Sequence, residues 1–212
     1  MKRIVSLILL SVSGALSQST TPPQIQITQP TVSSEGVPTG PASVCAISGH
    51  SRECYVAPKN GATGVPFGLN PQAQQMALKP GLDAILFTAR ASAGGSGSRT
   101  ILALLVSKHG RLDNLLPDVT ISEQSEYRMW REPTISELPL VITANYVSQD
   151  AEAHFAAHHF RISSYRFGSQ LQNYVLQDEY VTAKKYMDTG QPMRILEQER
   201  QEILTRLRRQ TN

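Results

Sequence analysis

The chain has 212 residues, of which 40% are hydrophobic and only 17% charged. That is too apolar and too weakly charged for a disordered protein, and long enough for one folded unit with tails. Lys and Arg exceed Asp and Glu by 20 to 17, and loss of Lys2 and Arg3 with an N-terminal leader leaves 18 to 17. A chain so close to neutral, with no basic cluster beyond Arg206, Arg208 and Arg209, argues against nucleic acid or an anionic membrane surface as its partner.

A basic start at Lys2 and Arg3, an apolar run over 4–12 and the small-x-small sequence Ala15-Leu-Ser17 read as a secretory signal peptide over 1–17. The run is shorter than the roughly 20 residues a membrane span needs, so the mature protein is expected to be secreted or periplasmic, with no stable membrane insertion after cleavage. Residues 18–41 are rich in Thr, Ser, Pro and Gln and read as a disordered arm. Within the arm, Gln24-Ile-Gln-Ile-Thr28 alternates in the strand sense and is able to join a sheet edge.

The globular domain is expected over 42–212. It carries both cysteines, Cys45 and Cys54, and in an oxidising compartment these predict a disulfide closing a loop. The C-x8-C spacing does not suit a redox motif. Residues 71–77 carry helix-forming Gln, Ala and Met, which predict a short helix stopped by Pro80-Gly81.

Two nearly continuous apolar runs, 83–90 and 100–107, predict a hairpin buried on both faces. Its tip contains Ser96 in Gly94-Gly-Ser-Gly-Ser98, which matches neither a nucleophile elbow nor a phosphate loop. Lys108-His-Gly-Arg111 reads as a tight turn, and 119–122 and 126–130 as further strands; Trp130, the only tryptophan, reads as a core anchor.

Three more strand runs follow, 139–147, 160–167 and 174–182, as consecutive members of one antiparallel sheet. The connection between the first two holds Glu152, His154, His158 and His159, the one place where candidate metal ligands crowd together. Glu152, His154 and His158 could contribute to a site for zinc or another divalent transition metal, with Asp150, His109 or Asp113 completing the set. The H-E-x-x-H order is missing, and a solvated polar connection is the competing reading. Tyr165 and Tyr174 sit at positions that alternate with other aromatics, so each strand could present a pair to a ligand such as a sugar. The chain ends in an amphipathic helix over about 192–209, with an apolar stripe of Leu196, Ile203, Leu204 and Leu207, acids early and arginines late.

The fold class that follows is α+β: a mainly antiparallel sheet of roughly six to eight strands with one C-terminal helix and a disordered N-terminal arm. With every catalytic motif incomplete, the expected function is a non-catalytic binding or structural accessory module with a protein or carbohydrate partner and no cofactor. The alternative is a metal-dependent hydrolase built on Glu152, His154 and His158.

Overall fold

A computed structural model describes residues 22–61, 63–92, 99–116, 118–122, 126–147, 156–187 and 194–211. Residues 1–21, the glycine-rich stretch 93–98 and the segment 148–155 are among those outside them. The described residues form twelve strands and one helix in three antiparallel sheets, so the class expected from sequence holds with more strands than expected.

The first sheet is β1 (Gln24–Thr28), β2 (Ser43–Ser48) and β3 (Ser51–Val56), in that order. The arm expected to be disordered over 18–41 therefore contributes a strand, because the Ile25 and Ile27 alternation finds an open edge along β2. The expected disulfide loop is a hairpin turning at Gly49, whose φ of 57° suits glycine. Cys45 and Cys54 are directly opposed on its two strands and are joined.

The second sheet runs β4 (Leu69–Lys79), β5 (Leu82–Arg90), β6 (Arg99–Lys108), β7 (Arg111–Asn114), with β8 (Thr120–Ser122) also on β6. Residues 71–77 are strand, not helix. A helical preference of a few tenths of a kcal/mol per residue is outweighed by a ladder along the whole of β5. Pro71 is accommodated because β4 is the outer strand. His109 and Gly110, at φ 54° and 78°, make the two-residue turn between β6 and β7.

The third sheet is ordered β12 (Asn173–Val181), β11 (Phe160–Gly168), β10 (Leu140–Tyr146), β9 (Glu126–Trp130), with α1 (Ile195–Thr211) against one face. The sheets stack as layers with the five-stranded one in the middle. Ile85, Phe87, Ala89, Ile101, Ala103 and Leu105 meet Ala42 and Val44 of the first sheet's side. Ala84, Leu102, Leu104 and Val106 meet Leu138, Val141 and Tyr174 on the other. This two-sided burial is why β5 and β6 read as unbroken apolar runs. β10 repeats the logic one layer out: Val141 faces the middle sheet, while Leu140, Ile142 and Ala144 face Leu196, Ile203, Leu204 and Leu207 of α1.

α1 begins on a buried carboxylate. Glu126 is 5% exposed, and its Oε2 accepts the Leu196 N–H at 3.2 Å, while Oε1 lies 2.8 Å from Arg128 Nη2. An acid at this end satisfies an amide that lacks an intrahelical partner and complements the helix dipole.

Candidate functional site

The histidine cluster expected from sequence is divided by the described boundary. Glu152, His154 and Asp150 lie outside the described residues. His158 is 4% exposed, bridges Tyr186 through the backbone, and has its ring 5.5 Å from that of Tyr146. His159 Nδ1 donates to the Thr182 carbonyl at 2.8 Å, which fixes its tautomer. Asp113 is paired with Arg111 at 2.6 Å. Among the described residues no three of His, Cys, Asp and Glu are grouped to hold a metal ion.

The expected pairing of tyrosines on one strand face fails on β12. Ser164 opposes Asp178 but Tyr165 opposes Leu176, so Gln177 is an extra residue in the strand. This bulge shifts the alternation by one. Tyr174 joins the core between the two larger sheets while Tyr180 lies on the helix side, despite their even spacing. Tyr174 is 5% exposed and its hydroxyl donates to the Pro139 carbonyl at 2.7 Å, so it offers no stacking face to a sugar. Tyr165 is half-buried against the same core.

The described residues do converge on a groove between β12 and α1, a cavity of about 500 Å³ lined by Tyr180, Val181, Lys184, Glu199, Glu202 and Arg206. Glu199 is the acceptor that two of the surrounding phenols share. Tyr180 donates to Glu199 Oε2 at 2.9 Å, and Tyr186 donates to Oε1. Burial first, and then the bond to Glu199 and its charge, push both phenols well above their ordinary range, so both remain neutral donors. Arg206 is held by Asp178, with Nε to Oδ2 at 2.6 Å, and lies 4.6 Å from the Tyr180 ring centre. The side chain of Asp178 also receives Gln210 at 2.9 Å.

This is a set of groups that satisfy one another. Each oxygen of Glu199 accepts a phenolic proton. The arrangement fixes α1 on the sheet and gives the groove rigid, amphipathic walls. Sequence reasoning reads Glu199 only as an early acid that complements the helix dipole, although it carries a further signal: it lies three residues after Leu196 and four before Ile203. An acid on an apolar stripe has to meet a donor.

Beside the groove, β12 is one of the two outer strands of its sheet. Thr182 N–H bonds inward to Phe160, so by alternation the main-chain groups of Val181 and Glu179 point outward. At the other end the outward Tyr174 N–H is taken by the Leu115 carbonyl at 2.9 Å. The edge from Leu176 to Val181 is left without a partner strand among the described residues, and the side chains of Leu176 and Val181 are 52% and 50% exposed. No described helix is long and apolar enough to cross a membrane. No protein-family model matches the sequence, and neither a curated protein nor a solved structure matches it.

Proposed function

We propose that this protein is a non-catalytic binding module of the secretory or periplasmic space, and that it takes an extended segment of a partner protein along the outer edge of β12. The observation that carries this reading is the conjunction of a strand edge without a partner strand among the described residues, exposed Leu176 and Val181, and the groove beside them. Main-chain bonds to a sheet edge supply affinity, and pockets for alternate side chains supply selectivity. The groove of Tyr180, Lys184, Glu202 and Arg206 is placed to receive such a side chain. The disulfide between Cys45 and Cys54 is compatible with an extracellular location.

A photo-crosslinking residue placed at Leu176 in the native host tests it. The expected product is an adduct with one partner, mapped by mass spectrometry to a single extended peptide. It should vanish when Val181→Pro removes an outward N–H, a change a strand edge tolerates. A yield no greater than from the same probe at Val56, which is 58% exposed on β3, would remove the basis for this reading.

A further inference from the structure

A second cavity lies at the far end of the β11–β12 hairpin, between its turn and the loop that joins β9 to β10. It measures about 420 Å³ and is lined by Ile135, Ser136, Glu137, Arg166, Phe167 and Leu171, among others. Two of these residues have unused hydrogen-bonding capacity. Ser136 is 7% exposed, and its Oγ is buried with no hydrogen-bond partner among the described residues. Buried hydroxyls are nearly always satisfied, so this one calls for a reason. Arg166 is half-buried, and among the described residues it makes no hydrogen bond or ion pair. Other arginines in this sheet and on its helix are committed: Arg128 to Glu126, Arg200 to Glu132 and Arg206 to Asp178.

We propose that this cavity binds a carboxylate carried on a short apolar group. The guanidinium of Arg166 presents a planar fork that matches a carboxylate in two parallel hydrogen bonds. The Ser136 hydroxyl donates a third. Ile135, Phe167 and Leu171 supply the apolar wall that receives the rest of the ligand. Glu137, on the same rim and paired with Lys79, disfavours a ligand of higher charge such as phosphate dianion. Two sources carry this chemistry, a free aliphatic acid and the C-terminus of a peptide.

The test uses the full mature chain and backbone amide shifts in NMR, with hexanoate, N-acetyl-Ala-Leu bearing a free C-terminus, hexanamide and inorganic phosphate as probes. At least one of the two carboxylates should give saturable shifts at 135–137 and 166–171, and the tighter of them identifies the source. Hexanamide should bind about tenfold or more weakly than hexanoate, because it loses the charge-assisted pair. Arg166→Gln should weaken the carboxylates by a similar factor while leaving Tm unchanged, since among the described residues Arg166 has no hydrogen-bond or ion-pair partner to lose. Arg166→Lys should fall between them, and Ser136→Ala should weaken binding further. Saturation by phosphate alone, equal binding of hexanamide, an undiminished affinity in Arg166→Gln, or no saturable shift with either carboxylate would each overturn the assignment. Were Arg166→Gln to unfold, the amide arm on the unaltered chain still decides.

Discussion

The carboxylate beneath α1 gives the sharpest test of how this fold is held. Glu126→Ala would remove the acceptor of the Leu196 N–H and leave Arg128 without its 2.8 Å partner. Loss of a helix cap costs about 1 kcal/mol, and stranding a buried amide adds about 1 to 3 kcal/mol. Arg128 is 34% exposed in its side chain, so water screens the lost ion pair to less than about 1 kcal/mol. A total of about 2 to 5 kcal/mol is expected on these terms. Glu126→Gln keeps an acceptor and the volume, and should cost far less.

The two variants also separate charge from packing through pH. Burial raises the Glu126 carboxyl above its ordinary range, and the Leu196 amide and Arg128 only partly oppose this. A raised carboxyl binds its proton more tightly in the folded chain than in the unfolded one. Its contribution to stability is therefore full below the unfolded value and is lost as pH rises through the folded one. Urea denaturation followed by circular dichroism should show the parent protein gaining on Glu126→Gln as pH falls from about 7 toward about 4.5. A cost below about 0.5 kcal/mol for Glu126→Ala would place it among ordinary surface changes and refute the capping argument. A parent-minus-Gln difference that is flat or reversed with pH would refute the burial argument.

Further outcomes follow from other layers. Phe87 is fully buried and meets Tyr55 edge-on at 5.9 Å, so Phe87→Ala should cost about 3 to 5 kcal/mol in chemical denaturation, and a cost under about 1 kcal/mol would contradict its place between the first two sheets. Replacing Cys45 and Cys54 together by alanine should cost about 2 to 3 kcal/mol through loop closure, compared under non-reducing conditions. Gly68 is closely packed: a Cβ there would meet the Gly40 carbonyl oxygen at 2.3 Å and the Pro38 side chain at 2.6 Å. Gly68→Ala should lower stability by about 1 to 3 kcal/mol, with the amide shifts of Pro30-flanking residues and Gly40 moving most. Glu199→Gln should bring the ionisation of Tyr180 and Tyr186 to lower pH in an ultraviolet titration without restoring the ordinary value, because the charge is removed while the burial remains.

The outline of the larger sheets was legible because apolar runs report two-sided burial directly. The stretches 83–90 and 100–107 read as a buried hairpin, and three later runs read as consecutive antiparallel strands; β5, β6, β10, β11 and β12 occupy those places. What sequence periodicity misjudged has local causes. β4 carries Gln, Ala and Met that favour a helix weakly, and only the open edge of β5 turns them into a strand. The arm at Gln24–Thr28 is too polar to fold alone, yet it gains order by pairing with β2. On β12 one inserted residue, Gln177, reverses the facing of everything beyond it. A bulge leaves no mark in an alternating pattern, so Tyr174 and Tyr180 look equivalent in sequence and are not. The groove at Glu199 was missed for a different reason: charge order along α1 was read as complementing the dipole, when one of its acids sits on the buried stripe.

The layering also constrains where binding can occur. The middle sheet has both broad faces covered, and its strands β5 and β6 carry apolar side chains on each, so a recognition surface there would require dismantling the core. The four-stranded sheet has one face against that core and the other under α1, which leaves its two outer strands, β12 and β9, and its connecting turns. The two proposed surfaces fall there, on the single hairpin of β11 and β12: the outer edge from Leu176 to Val181, and the cavity of Arg166 and Ser136 at the turn. Between them Tyr174 is fastened at two points, its N–H to Leu115 and its hydroxyl to Pro139. A segment pairing along β12 is therefore stopped short of the turn, and the two surfaces are distinct places on one element, each open to occupation without the other.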